Sequence, residues 1–249
     1  MTSNDDHSAP LVTLRDVNKT FGDVVAVDGV TADIERCTST ALIGGNGAGK
    51  TTSFYLLVGL LKCDAGQVIL NGEDLTEAPM HKRATAGLGY LPQEASVFRS
   101  LSTHDNLQAV LELQSDLSKS QQQQRLQQLL DEFNLNNIAD TLGQSLSGGE
   151  RRRLEIARAL ALKPKFLLLD EPFAGIDPIS VLDIQKIIKV LAKEDIGILI
   201  TDHNVRETLK ICDKSYVINS GKVLASGKSK DLVKNEIVKK VYLGESFKL

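Results

Sequence analysis

The fold is decided by residues 40–52, which read TALIGGNGAGKTT. The first four of these residues are apolar or β-branched, as expected of a short buried strand, and the next six are rich in glycine. A helical apolar pattern through Leu56, Leu57 and Leu60 follows. Because a strand precedes the glycines and a helix follows them, the pattern Gly-x-x-x-x-Gly-Lys-Thr predicts a phosphate-binding loop.

A loop of this kind binds phosphate because its glycines let backbone N–H groups turn inward, and because the next helix begins with the positive end of its dipole. Lys50 is expected to reach the terminal phosphates, and the Thr51 hydroxyl is expected to ligate Mg²⁺. The candidate phosphate-binding residues are Gly44, Asn46, Gly47, Ala48, Gly49, Lys50, Thr51 and Thr52. The alternative, a glycine-rich turn that arose by chance, is disfavoured by the two flanking elements.

Two adjacent carboxylates, Asp170 and Glu171, end a hydrophobic run that begins at Phe166. Ligands of open α/β sheets bind at the carboxyl ends of the strands. Asp170 is therefore suited to hold Mg²⁺ through water, and Glu171 to orient or deprotonate an attacking water. An isolated acidic pair at a strand end is more often a turn or a helix cap, but the phosphate-binding loop upstream favours the catalytic interpretation.

The remaining apolar patterns predict a sheet wrapped by helices. Residues 11–17 and 24–30 suggest two antiparallel strands joined near Gly22. Strand-like runs separated by helical segments, which indicate a parallel sheet with crossover helices, occur at 166–169, 197–201 and 215–218. The polar residues 1–10 predict a disordered tail in front of a domain that spans 11–249.

From about 95 to 163 the pattern is helical, which predicts an inserted helical subdomain. Within it, Ser118 stands three residues before Gln121, as in a capping box. The apolar residues of one helical face are Leu126, Leu129, Leu130 and Phe133. We therefore interpret the glutamine run at 121–124 as part of an amphipathic helix rather than a low-complexity tract.

The chain of 249 residues has 29 Lys and Arg against 32 Asp and Glu, which gives a net charge of −3. Such a balance provides no general attraction to nucleic acid, so we interpret Arg151–Arg153 as a solvated helix face or a positive field near phosphate. No apolar stretch approaches the ~20 residues of a membrane-spanning helix, and the N-terminus lacks an apolar signal core, so a cytoplasmic location is expected. Three scattered cysteines predict neither a disulfide framework nor a zinc site.

The stretch LSGGE at 146–150 predicts a second anion-binding helix end. Ser147 would cap the helix, while Gly148 and Gly149 leave the backbone open to close approach. Plain helix capping would explain Ser147 but not two successive glycines, which cost helix stability. With two phosphate-seeking ends about 100 residues apart in one chain, the sequence resembles the ATP-binding cassette (ABC) transporter ATPases.

This resemblance implies an α/β P-loop fold in three parts: an antiparallel β subdomain, a RecA-like core and the inserted helical subdomain. It also implies a head-to-tail homodimer that binds two Mg-ATP between its subunits. In that dimer Ser147, Gly148 and Gly149 would complete the site of the opposite subunit. ATP binding would close the dimer, and hydrolysis would let it open.

Further positions take roles from the resemblance. Phe21 stands where the family stacks an aromatic ring on adenine, and a buried core phenylalanine is the alternative. Gln93 matches the glutamine that links Mg²⁺ and the attacking water to the membrane-subunit contact, and His203 matches the histidine that senses the γ-phosphate. Asp177 matches a loop that crosses to the other subunit; it is also placed to cap a helix, and both roles can hold together. The metal ligands implied are Thr51, Gln93 and Asp170.

A closer resemblance, to the ATPases of lipopolysaccharide export, covers roughly residues 11–249. It rests on GYLPQEASVFR at 89–99, LSGGERRRLEIARA at 146–159, PFAGIDPISV at 172–181, TDHNVRETL at 201–209 and VYLGE at 241–245. It implies that hydrolysis powers lipopolysaccharide extraction from the inner membrane toward the outer membrane. Two integral membrane permeases of the LptF/LptG type are the implied partners, nucleic acid is not, and the chain would lie peripherally on the cytoplasmic face of the inner membrane.

The segment after Gln93 is implied to line a groove that receives the membrane subunits, with Phe98 and Arg99 as contacts. The alternative is that Phe98 is a core residue of the helical subdomain. Two other functions stay open. Branched-chain amino acid importer ATPases share much of these stretches, whereas DNA-repair and chromosome-structure ATPases of the SMC type need a long coiled coil, and no sustained heptads appear in this sequence.

Overall fold

The structure is a computed structural model that describes residues 11–244 and Phe247. The expected disordered tail, residues 1–10, lies outside the described residues, and so does Glu245. The strands are β1 (Val12–Phe21), β2 (Val24–Ile34), β3 (Ser39–Gly44), β4 (Ala65–Leu70), β5 (Glu73–Asp74), β6 (Leu88–Leu91), β7 (Phe166–Asp170), β8 (Gly197–Thr201), β9 (Lys214–Asn219) and β10 (Lys222–Lys228). The helices are α1 (Lys50–Val58), α2 (Met80–Thr85), α3 (Thr103–Leu111), α4 (Lys119–Glu132), α5 (Gly148–Ala161), α6 (Pro178–Leu191), α7 (Val205–Leu209), α8 (Ser229–Leu232) and α9 (Glu236–Val238), with short helical turns at Asn136–Ile138, Gly143–Ser145 and Lys239–Leu243.

One sheet is antiparallel, with the strand order β2-β1-β4-β5. Its β1 and β2 form the predicted hairpin, in which Phe21 pairs with Val24 around the turn at Gly22. The sequence missed β5, because a strand of two residues shows no periodicity. This sheet is the antiparallel part of the expected α/β fold.

The other sheet has the strand order β10-β9-β3-β8-β7-β6, and neighbours from β9 to β6 run parallel. The predicted parallel sheet is therefore confirmed, while β10, which pairs antiparallel with β9, was not predicted. Since parallel strands end on the same side, the residues after β3, β8, β7 and β6 meet at one edge of the sheet. This edge carries the candidate site.

The parallel sheet is covered on both faces, as the composition of β7 illustrates. Leu167 and Leu169 join a core shared with the helices α3 to α6, whereas Phe166 and Leu168 join a second core shared with α1 and the antiparallel sheet. All four side chains are fully buried. Burial on both faces explains why the run FLLL is uninterrupted rather than alternating.

The helices α3, α4 and α5 follow β6, precede β7 and pack on one another. The predicted capping box is present at the start of α4, where the Gln121 N–H donates to the Ser118 hydroxyl and the Ser118 N–H donates to the Gln121 side chain. Limits of about 95 and 163 for this helical subdomain stay a proposal. In the part of the chain that the structure describes, no helix has both the length and the apolar character needed to cross a membrane.

Candidate nucleotide-binding site

Glu171 lies at the centre of the candidate site. Its Oε1 atom is 2.8 Å from His203 Nε2, and its Oε2 atom accepts a hydrogen bond of 2.8 Å from Gln93 Nε2. The three residues follow β7, β8 and β6, which are consecutive in the sheet. The sequence-predicted catalytic residues are therefore brought together, although 78 residues separate Gln93 from Glu171 along the chain.

The backbone of Glu171 is itself unusual. Its φ angle of 47° is left-handed, a conformation that costs free energy for a residue with a side chain. The Glu171 N–H group donates to Thr201 O at 2.7 Å, which ties the end of β7 to the end of β8. This conformation turns the chain sharply after Asp170, and the Glu171 carboxylate lies between Gln93 and His203.

The phosphate-binding loop is closed by its own lysine. The buried Lys50 ammonium donates to Gly44 O and Gly45 O, both at 2.9 Å. Burial lowers the pKa of Lys50, and the nearby charges of Glu171 and Asp170 oppose that shift. An arriving phosphate would meet a positive charge that is already oriented and only partly satisfied by neutral carbonyl groups.

Gly49 shows why this loop needs glycine. Its φ angle is 106°, and a Cβ atom there would lie 2.4 Å from Ala26 O in β2. A side chain at this position would push the loop away from the antiparallel sheet. Gly49 is also the N-cap of α1 and leaves the first turn without any side-chain cap, so its N–H groups face an incoming anion.

Asp170 is buried at the end of β7, with 4% of its surface exposed. Burial, followed by the charge of Glu171, raises the pKa of its carboxyl group to about 6. Among the described residues no group of three or more His, Cys, Asp or Glu side chains is arranged to hold a metal. A metal at this edge would therefore take oxygen ligands of other kinds as well, such as the Thr51 hydroxyl, phosphate and water, which suits Mg²⁺.

At the start of α5, the second predicted anion-binding helix end, side chains of the same segment already bond to the N–H groups of Ser147 and Glu150. Ser147 is the N-cap and accepts from the Glu150 N–H group, while Glu150 Oε2 accepts from Ser147 N at 2.8 Å and from its hydroxyl at 2.7 Å. These hydrogen bonds, those of the hydroxyl first, lower the pKa of Glu150. The carboxylate thus stays charged at neutral pH.

The glycines after Ser147 have a packing role that the sequence did not suggest. A Cβ atom at Gly149 would lie 2.1 Å from the Oγ atom and 2.6 Å from the Cβ atom of Ser180 in α6, and one at Gly148 would lie 3.2 Å from Gly175 O. Asp177 caps α6 and accepts from Ile179 N and Ser180 N. The capping role foreseen for Asp177 is therefore present.

The two exposed phenylalanines of the sequence analysis lie outside the core. Phe21 is 46% exposed at the end of β1, with the Lys19 ammonium 5.5 Å from its ring centre. Phe98 is 45% exposed, and the Arg158 guanidinium lies 4.4 Å from its ring centre. The alternative of core positions for these residues is wrong; in the segment after Gln93 it is Val97 that is buried.

The interpretation of Arg151–Arg153 as a solvated face is wrong for Arg152, which is 5% exposed. Its guanidinium donates five hydrogen bonds; the acceptors are Pro92 O, Asp170 O, Glu171 O, Pro172 O and the Glu155 carboxylate. Arg152 thus joins α5 to the chain beside Gln93 and to the backbone of Glu171. Its position three residues after Gly149 and four before Ile156, on the buried face of α5, was the available signal.

The family model described as "ABC transporter" matches residues 27–174. The match includes the phosphate-binding loop, the α5 start and Glu171. The chain belongs to the ABC transporter family. Relatives of this ABC ATPase include the lipopolysaccharide export system ATP-binding protein LptB of Haemophilus influenzae, which is 52% identical over 239 residues, or 96% of this chain and 99% of that protein. LptB of Escherichia coli is 50% identical over 238 residues, with the same two shares.

Solved structures of ATP-binding cassettes of ABC transporters resemble this ABC ATPase over nearly its whole length. One, in its ADP conformation, has a TM-score of 0.84 and 27% identity and covers 96% of this chain and 100% of its own. A nucleotide-free cassette has a TM-score of 0.82 and 26% identity, covering 95% and 100%. The expected ABC ATPase fold is confirmed, and the protein is a nucleotide-binding ATPase.

Proposed function

We propose that this ABC ATPase works as a homodimer, hydrolyses Mg-ATP and thereby powers lipopolysaccharide export through two integral membrane permeases of the LptF/LptG type. The observation that carries the hydrolytic part is the Glu171 carboxylate, held by Gln93 and His203 at 2.8 Å each. A carboxylate fixed on both oxygens is oriented before substrate arrives, which is how such a group polarises water efficiently.

In this proposal the residues divide the work of binding and hydrolysis, and Thr51 has two tasks. Lys50, Thr51, Thr52 and the loop N–H groups from Gly44 to Gly49 bind the phosphates, and Phe21 stacks on the adenine. Thr51, Gln93 and Asp170 would hold Mg²⁺, directly or through water, and the ion would supply positive charge to the phosphates. Glu171 takes the proton of the attacking water, while His203 lies where the γ-phosphate would meet it.

A homodimer would bring a second phosphate-facing helix start to each bound nucleotide. In the part of the chain that the structure describes, the side chains of Gln93, Glu171 and His203 bond to one another and not to the α5 start at Ser147, Gly148 and Gly149. In a head-to-tail dimer this helix start would face the phosphates bound by the other subunit, where its dipole favours negative charge. ATP would then prefer the closed dimer, because only that state offers both surfaces.

Lipopolysaccharide export is supported by the identity of 50–52% to the LptB proteins over 96% of the chain. Neither the amino acid importer nor the DNA-associated ATPase is favoured by these relatives. The exposed side chains of Phe98 and Arg99 lie six residues or fewer after Gln93 and are available to the permeases. The ATPase would thus lie on the cytoplasmic face of the inner membrane, bound to its partners.

The hydrolytic part is tested by Glu171→Gln, which keeps the shape of the side chain and removes its charge. We expect turnover to fall ~100- to 10,000-fold, as for loss of a general base, while ATP still binds. Glu132→Gln, at the end of α4, is the matched control and should hydrolyse ATP normally. Near-normal turnover of the Glu171 variant in a phosphate-release assay would remove the proposed role.

The transport part is tested by reconstitution with LptF/LptG-type permeases in lipopolysaccharide-loaded vesicles. ATP should release lipopolysaccharide with the wild-type subunit and not with Glu171→Gln. Phe98→Ala and Arg99→Ala should keep the ATPase fold and ATP binding but reduce co-purification with the permeases. ATP hydrolysis without lipopolysaccharide release, or undiminished co-purification of both variants, would contradict the transport proposal and leave the ATPase intact.

A further inference from the structure

A wide cleft lies on the sheet edge that faces away from the nucleotide site. Its volume is about 1050 Å³, and its lining includes Ser39 and Lys214, the first residues of β3 and β9. The phosphate-binding loop follows the last residue of β3, so the cleft and the loop are at opposite ends of the same strand. The cleft therefore does not belong to the ATP site.

The cleft is strongly basic although the chain as a whole is acidic. Its lysines are Lys189, Lys193, Lys210, Lys214, Lys228 and Lys230. They face three acidic residues in the lining, Glu35, Asp213 and Asp231. A local excess of positive charge in a protein of net charge −3 is a field that would attract an anion to this place.

Internal contacts involve two of the six lysines and two of the three carboxylates, and among the described residues they leave four lysines unpaired. Asp213 accepts from the Ser39 N–H group at 3.1 Å and its hydroxyl at 3.0 Å, and Glu35 lies 3.3 Å from the Lys214 ammonium. Lys210 pairs with Glu207 at 2.7 Å. The lysines with no carboxylate within 4.0 Å among the described residues are Lys189, Lys193, Lys228 and Lys230.

These four lysines come from two separate parts of the chain. Lys189 lies in the last turn of α6, and Lys193 lies in the turn that follows this helix. A helix dipole stabilises cations at that end, but it gives none of this help to Lys228 and Lys230, at the start of α8. The dipole of α6 therefore favours Lys189 and Lys193, whereas no helix dipole among the described residues favours the positive charges of Lys228 and Lys230.

The apolar residues of the lining, Ala192, Leu209, Ile211 and Cys212, belong to the core and expose 6% of their surface or less, so they offer a ligand little apolar surface. None of the described residues that line it is aromatic, so it offers no platform on which bases of a single-stranded nucleic acid would stack. Its concave shape does not match a flat lipid surface. A chain with carboxylates along its sides would pair with the exposed lysines.

We propose that this cleft is a docking site for an acidic segment of a partner polypeptide. The segment lies between the lysines at the end of α6 and those of β10 and α8. Its carboxylates pair with Lys189, Lys193, Lys228 and Lys230. Binding at this edge leaves the phosphate-binding loop free, so the protein can bind the partner and ATP at the same time.

The test uses a fluorescein-labelled peptide of repeated Gly-Glu-Glu and the full-length protein, with anisotropy as the readout. Binding should weaken as salt is added and fall roughly tenfold or more in Lys189→Glu/Lys193→Glu. Lys82→Glu/Lys119→Glu makes the same change of net charge on exposed helices outside the cleft and should bind like the wild type. Basal ATP hydrolysis should be unchanged in both variants, which also reports that they are folded.

A reporter places the peptide. Cys37 is exposed and lines the cleft, so an environment-sensitive dye attached there in a Cys63→Ser background should respond when the peptide binds. Equal binding by wild type and the cleft variant, or binding without a response at Cys37, would overturn the proposal. So would a cleft-dependent interaction confined to phosphatidylglycerol vesicles or to oligothymidylate, which would assign the cleft to lipid or to nucleic acid.

Discussion

The two phosphate-seeking helix starts of this ATPase, at α1 and at α5, differ in what satisfies their first N–H groups. α1 begins after Gly49 with no side-chain cap and no acidic residue in its first turn. α5 begins after Ser147 with a complete capping box, and Glu150 lies in its first turn. An external anion therefore finds open donors at α1, whereas at α5 it must compete with a carboxylate of the same helix.

This difference teaches that glycine near a helix start has two separate uses. Gly49 frees the backbone for phosphate, and the charges of Asp170 and Glu171 act on the neighbouring Lys50. Gly149 instead lets α5 pack against Ser180. The α5 start thus has the weaker intrinsic attraction for phosphate, which fits a role that begins only when a second subunit presents bound ATP.

The largest expected effect on stability comes from the buried carboxyl group of Asp170, which acts on Lys50 at the start of α1. In the folded protein the pKa of Asp170 is raised to about 6, above its ordinary value of 3.8, so the folded state holds its proton more tightly than the unfolded state. Stability therefore falls as pH rises between these values, and above pH 6 the full cost is present. Without Mg²⁺ and nucleotide, Asp170→Asn should raise the free energy of unfolding by up to ~3 kcal/mol at pH 8.

Urea unfolding across pH measures this effect. The gain should shrink as pH falls below 6 and nearly vanish at pH 3.8, the ordinary pKa of an aspartate, where the wild-type carboxyl group is largely protonated in the folded state. Asp231→Asn, at an exposed position of α8, is the control and should change little. A gain of equal size at every pH would show that packing, not charge, is responsible.

The next effect tests the packing role at α5. Gly149→Ala should destabilise the chain by ~1–3 kcal/mol, because the new Cβ atom overlaps the stem of Ser180 and not only its rotatable hydroxyl. Ser180→Gly removes both atoms of Ser180. In that background Gly149→Ala should therefore cost little stability, so the double variant should be nearly as stable as Ser180→Gly alone. Chemical unfolding of the three variants decides, and an unaffected Gly149→Ala would contradict this packing.

The sequence correctly predicted the features that depend only on residues close together in the chain. The strand, loop and helix at 40–52, the β1–β2 hairpin and the capping box of Ser118 all depend on local pattern, and the structure contains them. The parallel sheet followed from strands that alternate with helices. Convergence of Gln93, Glu171 and His203 was foreseen only through the family resemblance, since no spacing rule joins residues on three different strands.

What the sequence missed depends on contacts between distant segments. Arg152 looked like part of a solvated basic run. Four of its five acceptors are backbone carbonyl groups beside β6 and β7, and the residues around Arg152 in the sequence do not predict these contacts. The contact of Gly149 with Ser180 is of the same kind. Short or irregular pieces such as β5 carry too few residues to show a period.

A smaller effect separates capping from phosphate binding, because the chain contains two capping boxes. Ser118→Ala and Ser147→Ala each remove one N-cap hydroxyl and should each cost ~1 kcal/mol of stability. Only Ser147→Ala should also raise the ATP concentration needed for dimer closure. Thermal unfolding and light scattering with ATP measure the two quantities, and an equal response of both variants to ATP would exclude a special role for the α5 start.

The smallest expected effect concerns Glu150. Glu150→Gln should preserve the two backbone hydrogen bonds of the capping box, because Gln121 makes both of these with Ser118 at the start of α4. The substitution removes a negative charge from the α5 start, and the lowered pKa of Glu150 means that this charge is present throughout the assay range. Repulsion of bound phosphate then decreases, and half-maximal dimer closure should need a few-fold less ATP, an effect that added salt reduces. Gln121→Glu places a charge in the equivalent position of α4 and should leave closure unchanged. If Glu150→Gln closes at the same ATP concentration as the wild type at low salt, the phosphates do not approach the α5 start, and the two helix starts differ in function as well as in capping.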